Sequence, residues 1–311
     1  MNTCPGSVVK WRGHRIPRLV AGTAQLGMKY GIANSTSGPS ESSATEVIET
    51  ALECGIRFFD TAQAYGESEF FLGVALRRLG AANRVHVISK LDPALSPADS
   101  PAVLRSVEES AGRLGGPLWA MLLHRPDWLN HWNQGLGTAL REAQHRGLVK
   151  YVGASVHTVE EARKVLAHEA MDIVQVPANA WDQRMLRAGI FRLAAAQEKL
   201  CFVRSIFLQG LLTLPAEMVA SRLGLAHRAS QQWESVTHRC ASSAEALAVR
   251  SVLSLPAAIV VGMETPEQVR ANARLFNLVP LSDAELDSIH QEMSGVLDDR
   301  ILNPSRWQEQ A

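Results

Sequence analysis

The chain has no excess of either charge, few cysteines and no long apolar run, and each shortage removes a class of function. Lysine plus arginine and aspartate plus glutamate both number 31, so no chain-wide positive field exists to hold nucleic acid or an anionic membrane. The partners expected are small molecules. No stretch approaches the roughly 18 uninterrupted apolar residues of a spanning helix, and residues 1–7 lack a basic segment followed by an apolar run. The expectation is a cytoplasmic protein without a membrane partner. Cys4, Cys54, Cys201 and Cys240 lie far apart and form no C-x-x-C pair, which argues against disulfide and thiolate-metal frameworks. Cys54 and Cys201 sit among apolar neighbours and read as small core residues. A G-x-G-x-x-G between an early strand and helix is also missing, which argues against an open doubly wound sheet.

What is present is repetition. After a possible hairpin at residues 8–15 come short runs rich in β-branched residues at 19–24, 57–60, 85–90, 119–124, 151–156, 172–176, 202–206 and 258–262. They alternate with amphipathic segments at 43–53, 68–79, 98–114, 134–146, 159–168, 185–199, 242–253 and 266–276. About eight such units without an intervening linker predict an α/β fold, a (β/α)8 TIM barrel forming one domain over residues 1–311. Residues 282–294 read as an extra helix, and residues 211–239 as an irregular excursion of one loop.

In such a barrel the residues just past the strand ends converge on one mouth. Strand two ends in Asp60, with Tyr65 in the following loop; strand three ends in Lys90, strand four in His124 and strand five in Ser155, and strand six contains Gln175. Asp60 and Lys90 follow apolar runs, and such groups are rarely buried unless paired, so a salt bridge across neighbouring strands is expected. That bridge would set an ammonium beside the phenol of Tyr65 and favour its phenolate, easing proton transfer. His124 can orient a carbonyl oxygen. No side chain is a hydride source, so a separate cofactor is implied. A purely structural ion pair is the alternative for Asp60 and Lys90, and the neighbouring Tyr65 and His124 favour chemistry. A metal-dependent hydrolase or lyase would need clustered ligands, and only His124 and Asp60 are available.

The order and spacing of Asp60, Tyr65, Lys90 and His124 resemble the catalytic tetrad of the aldo-keto reductases. The likeness spans roughly residues 18–276. It is carried by Gly22-Thr23-Ala24-Gln25-Leu26-Gly27, by the run from Gly55 to Glu69 containing Asp60-Thr61-Ala62-Gln63-Ala64-Tyr65-Gly66-Glu67-Ser68-Glu69, by Leu122-Leu123-His124 and by Gly153-Ala154-Ser155. It implies reduction of an aldehyde or ketone by NADPH, or by NADH, with Tyr65 as general acid. Gly22, Thr23 and Asp60 would border the cofactor, and Ser155 and Gln175 would hold its carboxamide. Ser205, Phe207 and Gly210 would line the pyrophosphate path, and Gly262, Met263, Gln268 and Asn272 the adenosine end.

Four positions depart from the family pattern. Val156 stands where an asparagine is common, and Arg204 where an aromatic residue often stacks on the nicotinamide. Gly262 and Gln268 stand where a lysine and an arginine often grip a 2′-phosphate; Arg270 and Arg274 are the candidate substitutes. A cofactor-binding regulatory or sensor protein on the same fold is the alternative function. The Gly22 to Ile32 run and the Arg204 to Gly210 run resemble a bacterial subset linked with sugar metabolism, implying a sugar-like or otherwise hydroxylated carbonyl. Tyr30 is a substrate contact or an aromatic that packs its loop. Trp128, in the loop after His124, walls the pocket or covers the barrel edge, and Trp181 faces the same choice. His157 and the other histidines outside the mouth read as largely solvated.

Overall fold

The computed structural model describes residues 8–33, 40–304 and 306–307; Cys4 lies outside them. A two-stranded antiparallel hairpin, β1 (Val8–Trp11) and β2 (His14–Pro17), precedes a closed parallel barrel. Its strands are β3 (Leu19–Gly22), β4 (Phe58–Asp60), β5 (His86–Lys90), β6 (Leu118–Leu123), β7 (Val149–Ser155), β8 (Ile173–Pro177), β9 (Leu200–Arg204) and β10 (Ala258–Gly262), and β10 pairs with β3 to close the ring. The helices are α1 (Ala24–Gly27), α2 (Glu41–Glu53), α3 (Ser68–Arg78), α4 (Ser100–Leu114), α5 (Leu136–His145), α6 (Val159–Ala167), α7 (Arg184–Arg187), α8 (Ile190–Ala196), α9 (Ala216–Arg222), α10 (His227–Cys240), α11 (Ala244–Val252), α12 (Pro266–Leu275), α13 (Asp283–Ser294) and α14 (Asp299–Leu302). Among the described residues no helix is long and apolar enough to cross a membrane.

The period-two alternation of a strand sorts each strand's residues between two cores. Val20, Phe58, Ile88, Ala120, Leu122, Ile173, Phe202 and Val260 share one buried cluster inside the barrel, closed at its amino-terminal mouth by Trp11 and Ile16 of the hairpin. Their neighbours Ala21, Phe59, Val87, Met121, Val174, Val203 and Val261 pack outward against the helices. Two residues beyond Val20, Phe58, Ile88, Leu122, Ile173, Phe202 and Val260 on the inward rows stand Gly22, Asp60, Lys90, His124, Gln175, Arg204 and Gly262. The active-site candidates are therefore the polar top layer of the same rows that fill the barrel.

Three segments differ from expectation. Strand β3 stops at Gly22 rather than reaching residue 24, because the Thr23 backbone N–H donates to the Asp60 carbonyl at 3.0 Å and the chain turns into α1. The helix expected over 185–199 is split into α7 and α8 by Gly189, whose φ of 71° a helix cannot accommodate. Residues 211–239 are largely helical rather than irregular: α9 and α10 bury Val219, Trp233 and Val236 with Leu286 and Ile289 of α13 in a third core. The expected helix at 282–294 is α13, and Ser282 and Glu285 form its capping box.

Candidate active site

Parallel register sets the site residues side by side. Gly262 pairs with Gly22 and Gly22 with Asp60, while Ser155 pairs with Gln175 and Pro177 with Arg204. Lys90 Nζ donates to Asp60 Oδ1 at 2.6 Å and to the Thr61 carbonyl at 2.8 Å. Both residues are nearly sealed from solvent, Lys90 at 1% and Asp60 at 3% exposure, so neither charge survives without the other. Burial alone lowers the lysine pKa, but the Asp60 charge, the Tyr65 phenol and their hydrogen bonds outweigh it and hold the ammonium above its ordinary range. Gln175 Nε2 donates to the second oxygen, Asp60 Oδ2, at 2.7 Å.

Tyr65 leans over this pair, with Lys90 Nζ 5.0 Å from its ring centroid. The His124 ring stands perpendicular to it, centroids 6.0 Å apart. Desolvation, reinforced by the Lys90 and Arg204 charges, pulls the His124 pKa down to about 4, so the imidazole is neutral near pH 7. Its Nδ1 is buried without a hydrogen-bond partner. A bare ring nitrogen costs less to bury unpaired than an N–H, which favours the tautomer protonated at Nε2.

The loop carrying Tyr65 is fixed by contacts that spacing alone does not reveal. Gly27 lies so close beneath it that a Cβ there would sit 2.0 Å from the Tyr65 carbonyl and 2.2 Å from the Ser68 nitrogen. Gly66 adopts φ +53° against Gly27, and the Glu67 N–H donates to the Gly27 carbonyl at 3.2 Å. Ser68 Oγ joins Thr23 Oγ1 at 2.7 Å and Thr61 Oγ1 at 3.0 Å. Buried Glu69 accepts from Ser89 Oγ at 2.5 Å and Ser110 Oγ at 2.8 Å and pairs with Arg113 at 2.7 Å.

A cavity of about 590 Å³ opens beside this centre and runs from Tyr30, Asp60, Tyr65 and Gln175 to Gln268 and Asn272. Gly22, Thr23, Arg204, Ser205, Phe207, Gly210 and Gly262 also line it. Gly210, at φ +90°, leaves no room for a side chain, since a Cβ there would meet Ala33 at 2.4 Å; one at Gly262 would meet the amide end of Gln25 at 2.2 Å, which would have to move aside. Ser205, Leu208 and Gln209 all hold positive φ in the loop after β9, a concentration of backbone strain beside the cavity. Gln175 Oε1 is buried and lacks a partner, an acceptor aimed at a donor that the protein itself does not supply.

Arg204 bonds the chain around Val156, the position where an asparagine is common in the family. It donates to the Val156 carbonyl at 2.9 Å, to Ser155 Oγ at 3.3 Å and to Ser205 Oγ at 3.2 Å, and it meets His157 Nδ1 at 3.1 Å. His157 stays exposed, as expected, but has a partner in Arg204; desolvation and the guanidinium lower its pKa to about 4. Tyr30 reaches the cavity and hydrogen-bonds Gln209; burial raises its pKa. Of the expected contacts, Ser155 and His124 are not on the cavity wall, and two others lie in the outer core. Trp128 is 2% exposed and packs in the outer core, because its short 3-10 helix, Pro126–Gln134, turns the indole inward. Met263 packs outward as well, since one step past Gly262 the alternation reverses face. Gln25, within the Gly22–Gly27 run, also lines the cavity, as do Glu264, Ser243 and Glu245, to which no motif pointed.

A model described as the Aldo/keto reductase family matches residues 18–292. The chain belongs to the aldo-keto reductase family. This aldo-keto reductase is 26% identical to Protein REDOX 2 of Catharanthus roseus over 94% of its own length and 91% of that protein. It is also 26% identical to the aldo-keto reductase YhdN of Bacillus subtilis, over 48% of its length and 47% of that relative. Among solved structures, glycerol dehydrogenase AKR11B4 of Gluconobacter oxydans superposes with a TM-score of 0.73 at 22% identity, covering 96% of this chain and 97% of that one. Aldo-keto reductase AKR11C1 of Bacillus halodurans, a holo form, also gives 0.73, at 18% identity and with 97% and 99% covered. At these identities the structural likeness concerns the barrel alone.

Proposed function

We propose that this chain reduces an aldehyde or ketone to the alcohol with NAD(P)H, Tyr65 delivering the proton. The observation that carries the reading is the meeting of Tyr65, the buried Lys90–Asp60 pair and neutral His124, with Tyr65 and Asp60 on the cavity wall. The cofactor, when bound, supplies hydride to the carbonyl carbon. Ser155 and Gln175 would hold its carboxamide, the unpartnered Gln175 Oε1 being available to accept the amide N–H. Ser205, Phe207 and Gly210, in the loop where Ser205, Leu208 and Gln209 hold positive φ, would line the pyrophosphate path, and Gly262, Gln268 and Asn272 would surround the adenosine.

His124 donates its Nε2–H to the carbonyl oxygen and aligns it with the Tyr65 hydroxyl. As charge develops on that oxygen, the Tyr65 O–H bond breaks and the proton completes the alcohol. The charge left on the phenol is stabilised by the Lys90 ammonium, which Asp60 keeps in place. A hydroxylated or sugar-like carbonyl is the proposed substrate class, with the Tyr30 and Tyr65 hydroxyls on the cavity wall at that end, and a cytoplasmic location is proposed with it. Consumption of NADH or NADPH with a panel of hydroxylated aldehydes tests the proposal; tight dinucleotide binding without turnover would identify a sensor instead.

A further inference from the structure

We propose that Glu264 makes this chain an NADH enzyme; the inference rests on the cofactor reading above. Sequence pattern alone left NADPH the first choice, with Arg270 and Arg274 available to hold a 2′-phosphate. The structure separates those two arginines. Arg270 turns toward Glu53, 3.8 Å away, and does not line the cavity. Arg274 does line it, from an exposed position on α12. Among the described residues the only other cation on the cavity wall is Arg204, which is committed at the end of β9 to Ser155, Val156 and Ser205.

Against that single arginine the adenosine end presents two half-buried carboxylates, Glu264 after β10 and Glu245 in the first turn of α11. The main chain at Glu264 is held by the start of α12. Its N–H donates to Gln268 Oε1 at 2.8 Å, and Thr265 caps α12 by accepting from the Gln268 N–H at 3.3 Å. The turn therefore places Glu264 on the cavity wall between Gly262 and Gln268, the two positions that would otherwise supply a phosphate clamp. A carboxylate accepts hydrogen bonds from the 2′- and 3′-hydroxyls of an adenosine ribose, the device by which dinucleotide sites single out NAD. A 2′-phosphate, carrying up to two negative charges, would meet the same carboxylate as a like charge in a partly desolvated wall.

Isothermal titration of the full chain with NADH, NADPH, 5′-AMP and 2′,5′-ADP tests this, because it reads binding and not turnover. NADH should bind about tenfold or more tighter than NADPH, and 5′-AMP tighter than 2′,5′-ADP. Glu264→Gln keeps the shape and removes the charge, so it should close most of the gap by improving NADPH; Glu264→Lys should reverse the order. Circular dichroism checks that each variant is folded. Equal or tighter binding of NADPH by the unmodified chain, or an unchanged ratio in Glu264→Gln, would overturn the role of Glu264 while leaving the reductase reading intact. Failure of both dinucleotides to bind would remove that reading, and the inference with it.

Discussion

The Nζ of Lys90 sits 2.6 Å from Asp60 Oδ1 inside a barrel that excludes water from both. Breaking such a pair costs more than removing it whole, because the surviving charge is left unpaired in a poorly polarisable interior. Lys90→Met should therefore lower unfolding free energy by about 3–5 kcal/mol, and Lys90→Met with Asp60→Asn should recover part of the loss. Urea denaturation of the two single variants and the double variant measures the coupling. A purely additive result would mean that the pair is not the unit described here.

Tyr65 tests the chemistry rather than the fold. Tyr65→Phe removes only a hydroxyl and keeps the ring over Lys90, so the dissociation constant for the nicotinamide cofactor should change little. Carbonyl reduction should fall by roughly 10²–10⁴-fold, the usual consequence of losing a positioned proton donor. Retention of near-normal turnover on a good aldehyde would show that another group, Tyr30 foremost, delivers the proton.

Gly27 offers a subtler perturbation. A methyl at this position would overlap the Tyr65 carbonyl and the Ser68 nitrogen, both backbone atoms that cannot rotate away. Gly27→Ala should displace the Tyr65 loop, lowering kcat at least tenfold, since small misplacements of a reacting group are costly. Cofactor affinity, set mainly at the far end of the cavity, should fall much less. Parallel measurement of kcat and the cofactor dissociation constant separates this outcome from general unfolding, which would reduce both together.

Much of this site could be read along the chain because the barrel repeats one rule. Phe58 to Asp60 and Ile88 to Lys90 are each two steps along a strand, and Leu122 to His124 two steps that run one residue past β6, so an apolar row ending in an ionisable residue marks a side chain at the mouth. Loops obey no such period, which is why Trp128 could be placed on either side of the barrel edge and proved to be buried. Contacts between distant segments were equally hidden. Nothing local to Arg204 announces that it meets the Val156 carbonyl, since that depends on β7, β8 and β9 lying side by side. Arg270 and Arg274 lie four residues apart on α12, and only the folded helix shows that one of them leaves the cavity to meet Glu53.

The pH dependence of stability follows from His124. Its imidazole has an ordinary pKa of 6.5 in the unfolded chain and about 4 in the fold, where desolvation and the Lys90 charge oppose protonation. Above pH 6.5 both states are neutral at this position and pH has no leverage. As pH falls from 6.5 toward 4 the unfolded chain binds a proton that the folded chain refuses, so stability declines; below 4 both are protonated and the loss levels off. His124 alone should remove about 1 kcal/mol between pH 7.5 and pH 5.5. His157, lowered to about 4 mainly by desolvation with help from Arg204, acts in the same direction. Urea midpoints of the unmodified chain and of His124→Gln, taken at both pH values, isolate the contribution. Glutamine cannot titrate, so the variant should lose less stability on acidification; an identical loss in the two proteins would show that His124 keeps its ordinary pKa in the fold and is not held neutral by desolvation and the Lys90 charge.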